Sequence, residues 1–397
     1  MKIAIAGGGI TGLTFMNYLQ KTGIPATLFE KEKTFQEKGS GILLGLNAMK
    51  IMRELGLEAD ILKKGQILRN ISQVYYNGST LTRIDADKMY AETRQYTVCI
   101  SRSDLHKILL KNIKSSNILP AAEVHAAQKT GSQIQLFVNT FRNNKAVQIS
   151  AGAFDFLVGA DGIFSKTRET LCSRSELRYS GYTCWRFIIE APQGLIQDQA
   201  WEFVGLGRRF GVFPQGQNKV YCFATLNASR EDKRYLNISK EKFCNLFYDF
   251  PGIVQGCLEQ LKSEPGTRLI QRDISDLKTS VLRSPGLPVI FAGDAGHATT
   301  PNMGQGAAMG MEDAFVFSQI IQKELSTIEI AEEFENRRKK RVELIRTQSK
   351  YMGILGQIEN RFAANLRNVT MKLIPRELTR KSMQSLLLHS SVFPISK

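Results

Sequence analysis

Apolar and polar positions follow two rhythms along this chain. The first is a short apolar run closed by glycine: Lys2 to Ala6 reads as a buried strand, and after "GGGITG" the residues Leu13, Met16, Leu19 and Gln20 keep helical spacing until Gly23, a helix stop. The run "ATLFE" then predicts a second strand ending at Glu30. The pattern of strand and turn recurs at Phe154 to Gly159, ahead of Asp161-Gly162, and at "PVIFAG", ahead of Asp294. Between Asn70 and Thr97, and from Arg178 to Ser284, the rhythm becomes alternating and β-rich, as in "YTCWRFIIE", "RRFGVFP" and "KVYCFATLN". Those runs predict a second, antiparallel sheet built from insertions. From Asn336 to Lys397 the chain reads as helices, ending in the basic amphipathic tail "LRNVTMKLIPRELTRKSMQSLLL".

Length and composition bound the class. The 397 residues suit two interleaved domains around a sizeable core, and 43% hydrophobic with 23% charged residues is a globular composition. A net charge of +16 favours anionic partners, but no nucleic-acid motif accompanies it. The densest basic cluster, "RRKKR" at Arg337 to Arg341, lies in a helical pattern and is expected to form a solvated face. The cysteines Cys99, Cys172, Cys184, Cys222, Cys244 and Cys257 are scattered without metal spacing, so reduced thiols in a cytoplasmic protein and no metal are expected. No apolar run approaches the roughly 20 residues that span a bilayer. The apolar start "MKIAIAGGGITGLTF" carries glycines that a signal peptide would not need and is expected to stay attached.

Those glycines are Gly7, Gly9 and Gly12 of a G-x-G-x-x-G pattern, set between a strand and a helix, with Glu30 about 20 residues on at the end of the next strand. Gly7 allows the tight turn, Gly9 lets the backbone approach a pyrophosphate, Gly12 lets helix and strand pack closely, and Glu30 can accept ribose hydroxyls. The pattern predicts dinucleotide binding without distinguishing NAD from FAD. Asp161 and Asp294 both follow predicted strands, at the carboxyl ends where open α/β sheets bind ligands.

With "GADG" in mid-chain and "GDAGHATTPNMGQGAAMGMEDA" late, the order of motifs resembles the FAD-dependent aromatic hydroxylases, the p-hydroxybenzoate hydroxylase-like flavoprotein monooxygenases. Relatives include salicylate, kynurenine and urate hydroxylases, zeaxanthin epoxidases and tetracycline-inactivating oxygenases. Supporting segments run from Gly39 to Leu57 and from Ile100 to Leu110. The resemblance implies an α/β fold: a Rossmann-like FAD-binding domain (1–70, 98–177, 285–350), a β-sheet substrate-binding domain (71–97, 178–284) and C-terminal helices (351–397). It also implies a single-component monooxygenase with non-covalent FAD, a transient NADPH or NADH co-substrate, dioxygen and a small aromatic or polycyclic substrate, hydroxylated or epoxidised through a flavin C4a-hydroperoxide. A reductase, dehydrogenase or halogenase on the same scaffold, or a slow-turnover FAD-binding interaction protein, are the alternatives.

By the same resemblance, FAD is expected to contact Gly7, Gly9, Gly12, Glu30, Lys31, Gly41, Arg102, Asp161, Asp294, Pro301, Gly304, Gln305 and Gly306. The bare helix start at Gly304-Gln305-Gly306 would offer its N–H groups, and about half a positive charge, to the flavin's pyrimidine edge. His297 reads as a packing or hydrogen-bonding residue. Strand alternation sets Arg209, Gly211 and Phe213 on one face, and Tyr221 with Phe223 on one face of the next strand. An Arg and a Tyr at similar places face the substrate in urate-hydroxylating relatives, so Arg209 and Tyr221 are the expected catalytic pair, with Arg186, Phe213, Phe223 and Met303 around the substrate. The tail is expected to pack on the protein, peripheral membrane contact being the alternative, and the assembly to be a monomer or homodimer.

Overall fold

In the computed structural model of the chain, residues 1–35, 40–142, 145–172 and 175–393 are described; Gly39 and residues 394–397 lie outside them. Five parallel strands form the central sheet, in the order Val289–Phe291, Phe156–Gly159, Ile3–Ala6, Ala26–Glu30 and Ile118–Pro120. Ile3–Ala6 is buried at every position, which is why it reads as a continuous apolar run. Helices Ile10–Lys21 and Gly306–Ile320 share one large core with this sheet. A three-stranded antiparallel sheet (Glu123–Thr130, Gln133–Arg142, Lys145–Phe154) shares a second core with it, through Ala4, Phe29, Ile134 and Leu157. Phe154, expected to start a parallel strand, instead ends this antiparallel hairpin; the parallel strand begins at Phe156.

The insertions form one seven-stranded sheet, ordered Ile270–Leu277, Leu177–Glu190, Lys219–Asn227, Arg208–Gly216, Gln199–Val204, Asn70–Tyr75 and Thr80–Asp85. It is not wholly antiparallel as expected, because Gln199–Val204 pairs in parallel with Asn70–Tyr75, where the two insertions meet. One face is an aromatic core in which Trp185, Phe187, Phe210, Phe243 and Phe247 pack together. The opposite face carries the alternate residues and looks onto the strand Gly41–Leu44, whose Gly41 lies against Tyr221.

Helix Thr327–Gly356 opens on a capping box made by Ser326 and Glu329, and runs for 30 residues. The domain division expected at residue 350 therefore falls inside a continuous helix. Helices Arg361–Leu373 and Arg376–Leu387 follow. All six cysteines are free, so no disulfide ties the two large sheets together.

Candidate active site

The glycines of the first turn are required by close approach. Gly7 has φ +106, and a Cβ there would run into the Ala160 carbonyl, so this turn presses directly on the loop that holds Asp161. A Cβ at Gly12 would strike the Gly7 carbonyl, whereas one at Gly9 would meet nothing within 4 Å. Gly9 thus borders open space at a helix start that no side chain caps. Glu30 accepts from the Gly8 N–H at 2.6 Å and the Glu32 N–H at 2.9 Å, which fixes its carboxylate beside the turn. Lys31 is exposed at the rim. Sequence reasoning missed His106, buried in the helix Arg102–Leu110, with Nε2 2.8 Å from the Gly8 carbonyl oxygen.

The late motif meets the first turn through Thr11. A Cβ on either Gly293 or Gly310 would collide with its hydroxyl, so the two glycines let strand, loop and both helices close around one side chain. Asp294 follows Gly293; its carboxylate is open to solvent through the crevice yet walled by protein, and that burial raises its pKa against the opposing pull of His297 and Arg102. Gly306 stands next to it, with a Cβ position 3.9 Å from Asp294 Oδ1. The helix from Gly306 has no side-chain cap, unlike the helices capped by Asp85 and Ser101. Gly304 adopts φ +63 next to Leu43, Pro301 is exposed in the preceding turn, and Arg102 donates its backbone N–H to the Ser40 carbonyl at 2.9 Å. Gln305 is buried and accepts from Asn47 Nδ2 at 2.9 Å. Asp161 accepts from Ser165 Oγ at 2.5 Å, Thr167 Oγ1 at 2.9 Å and the Thr167 N–H at 3.0 Å, so in this structure its carboxylate serves the start of helix Lys166–Leu171.

Beneath these loops lies a buried charge network that sequence reasoning also missed. Asp313 accepts from the Gly293 N–H and contacts His297 Nε2, both at 2.7 Å, and accepts from Arg338 Nε at 2.6 Å. Glu312 accepts from Asn47 Nδ2 at 2.7 Å, Arg338 Nη1 at 2.9 Å, and Arg341 Nη2 and Nε at 2.8 and 3.1 Å. Burial alone would push both carboxyls up; Arg338 and Arg341 beside Glu312, and His297 and Arg338 beside Asp313, hold them below the usual range, Asp313 at about 2. The expected solvated "RRKKR" face is therefore corrected: Arg338 and Arg341 point inward, while Lys339 and Lys340 are exposed. The sequence signal was an adjacent acid pair inside an otherwise apolar helix, which demands buried cations.

Across the crevice, the face of the seven-stranded sheet carries Tyr182, Cys184 and Arg186 on one strand, Tyr221 and Phe223 on the next, and Arg209, Gly211 and Phe213 on the third. A Cβ at Gly211 would enter the Phe223 ring, and Phe213 stacks on Phe223 at 5.9 Å, giving a mostly apolar wall. Its polar groups include Arg186 and Tyr221, each near enough for its charge to act on the other, and Tyr182, whose hydroxyl donates to Asn302 Oδ1 at 3.1 Å. Burial pushes the Tyr221 hydroxyl well up, against the influence of Arg186, so the phenol stays neutral. Arg209 lies on the expected face with Gly211 and Phe213. Its guanidinium donates to Gln357 at 3.1 Å, Glu202 at 3.1 Å and Asn302 at 2.7 Å and lies over the Tyr182 ring. It thus grips the turn Pro301–Met303, partners that strand alternation does not reveal. Met303, in the same turn, packs partly buried against the main core.

A bound FAD is met by what these loops leave open: two uncapped helix starts, clear space at Gly9, and an exposed Asp294 beside Gly306. From Glu30 to the strand preceding Asp294 the sheet crosses three inter-strand gaps, about 14 Å. Comparisons with known proteins agree. Residues 1–234 match the family described as FAD binding domain. The chain is 30% identical over 396 residues to the 2-heptyl-3-hydroxy-4(1H)-quinolone synthase of Pseudomonas aeruginosa, covering 97% of each. It is 28% identical over 388 residues to the aurachin C monooxygenase/isomerase of Stigmatella aurantiaca, covering 97% of this chain and 98% of that one. In fold it is similar to Klebsiella pneumoniae HpxO complexed with FAD and uric acid, with a TM-score of 0.84 and 23% identity over 98% of this chain and 97% of that one.

Proposed function

The chain belongs to the FAD binding domain family as a flavin-dependent monooxygenase of the aromatic-hydroxylase type, and from that premise we propose that it hydroxylates a ring carbon of a 4-quinolone-like N-heteroaromatic bearing an apolar substituent, with NAD(P)H as electron donor. When bound, FAD supplies the redox chemistry that activates dioxygen for transfer of one oxygen atom. Glu30, Gly9, Asp294 and the N–H groups from Gly306 onward are the groups that would hold it.

The observation that carries the substrate reading is the placing of Arg186 and Tyr221 on adjacent strands beside the apolar rings of Phe213 and Phe223, while the other polar groups of that face, Tyr182 and Arg209, are engaged with Asn302. Arg186 and the neutral Tyr221 O–H are donors that would meet a ring carbonyl of the substrate. Phe213, Phe223, Cys184 and Ile274 offer apolar surface that excludes water and accepts a flat ring. A small, wholly polar ring such as urate would need more donors than this wall offers, since Arg209 is engaged with Glu202, Gln357 and Asn302. The two relatives matched over nearly their full length support the reading, one through the quinolone in its name. The donor has no second glycine fingerprint to bind, so its stay is brief and within the same crevice.

The test is substrate-stimulated NADH and NADPH oxidation with oxygen uptake and product mass, comparing 2-heptyl-4(1H)-quinolone, urate and 4-hydroxybenzoate. The reading expects at least about tenfold stimulation by the quinolone and a product heavier by one oxygen atom. Stimulation by urate or the simple phenol, with none by the quinolone, refutes it.

A further inference from the structure

Helix Arg361–Leu373 is amphipathic with its faces reversed. Phe362, Leu366, Val369 and Leu373 are 86%, 70%, 55% and 76% exposed, although they fall at helical spacings that gather them within an arc of about 60°. The buried face instead holds Ala364, Arg367 and Asn368. Arg367 points inward, donating to the Leu355 carbonyl at 2.8 Å and to Asn368 Oδ1 at 3.0 and 2.9 Å, with its guanidinium 5.9 Å from the Tyr75 ring. Those bonds fix the rotation of the helix, so the apolar stripe cannot turn inward without abandoning a buried cation. The stripe is extended by exposed Tyr351 and Ile354 on the last turns of the long helix, and by Ile374 and Leu378 beyond it.

The charge around the stripe names its partner. From Lys350 to Lys381 the chain exposes five basic residues (Lys350, Arg361, Lys372, Arg376, Lys381) against two acids, Glu359 and Glu377, while Arg367 and Arg380 are buried. Glu377 is already paired with Arg380 and Lys88. Arg361 and Lys372 stand at helical positions on one flank of the stripe, where they would meet headgroup phosphates while the apolar side chains enter the acyl boundary. Among the described residues no helix is long and apolar enough to cross a membrane, which leaves surface attachment. We propose that this C-terminal face is a monotopic attachment surface for anionic phospholipid, with the stripe Phe362, Leu366, Val369 and Leu373 lying in the interface. Two copies joined face to face would set the basic flanks of both near one another, whereas an anionic membrane neutralises them. The inference does not depend on the quinolone reading.

The experiment is sedimentation of the full chain, loaded with FAD, with vesicles of phosphatidylcholine alone or with 30 mol% phosphatidylglycerol, beside the double variant Phe362→Ser, Leu373→Ser. The wild type is expected to bind the mixed vesicles at least about tenfold more than the neutral ones, with binding weakened by salt. The variant should lose at least about tenfold of that binding while keeping its thermal midpoint and visible spectrum. A Phe362→Trp variant should show a blue-shifted emission on the mixed vesicles. Wild type that stays in the supernatant, equal binding to both vesicle types, or a variant that binds like wild type would each overturn the proposal. So would a wild-type dimer that the double variant converts to a monomer, which assigns the stripe to self-association.

Discussion

Replacing Arg338 by Met keeps much of the buried stem but removes the donor shared by Asp313 and Glu312, at 2.6 and 2.9 Å. Both carboxylates and the guanidinium are wholly buried, so no water replaces the lost bonds. Arg341 still serves Glu312, and His297 with the Gly293 N–H still serves Asp313, yet two buried acids would then share one fewer cation. Removing one partner of a buried ion pair costs about 3–5 kcal/mol, which at roughly 2–4 °C per kcal/mol in a domain of this size lowers the thermal midpoint by about 6–20 °C. The assay is a thermal melt of the FAD-free protein at several pH values, beside Lys340→Met, an exposed neighbour expected to stay within about 0.5 kcal/mol of wild type. In the variant the carboxyls lose a cation and their pKa values rise, so the gap from wild type should be widest at neutral pH and shrink as acid protonates them. A gap no larger than that of Lys340→Met, or one that grows toward low pH, refutes the reasoning.

The wild type has its own acid signature: Asp313 falls from the ordinary 3.8 to about 2 on folding, so its contribution of about 2 kcal/mol is whole above about pH 4 and is lost as pH falls through about 2, measurable by denaturant titration in that window. Gly9→Ala enters open space, so the FAD-free protein should melt as wild type while its dissociation constant for FAD rises at least about tenfold by fluorescence titration. Gly12→Ala meets the Gly7 carbonyl instead and should lower the melting point before any question of FAD arises. Tyr221→Phe should leave FAD affinity alone but raise the substrate KM about tenfold, since it removes one hydrogen bond to the substrate, worth about 1 kcal/mol. Arg209→Ala should do the reverse, lowering the melting point by releasing Asn302 and Glu202.

How much of this was legible in the sequence follows from the range of the forces involved. The first turn was readable because its requirements are local: a tight turn at Gly7, contact at Gly12 and an acid one strand away all lie within 30 residues. Alternation correctly separated the two faces of the strands that carry Arg209, Phe213, Tyr221 and Phe223. It could not show that Arg209 would be claimed by Gln357, about 150 residues later, because partner choice depends on how the long helix docks. The same limit hid Arg338 and Arg341: a basic cluster in a helix is solvated unless acids wait across from it, and although Glu312 and Asp313 stand out as acids in an apolar helix, which cations they meet is decided only when the two helices pack. Periodicity likewise finds the apolar stripe of helix Arg361–Leu373 but is silent on which side turns inward; the bonds of Arg367 decide it.

The central claim is that loops from the start, middle and end of the chain close on one crevice that holds FAD. The most direct measurement is a crystal structure grown with excess FAD. The account predicts ribose hydroxyls at Glu30, pyrophosphate over Gly9 toward Asp294, and the ring's pyrimidine edge against the N–H groups that begin at Gly306. Crystals in which FAD is saturating yet the crevice between Gly9 and Gly306 stays empty, or in which the cofactor sits elsewhere, would contradict it.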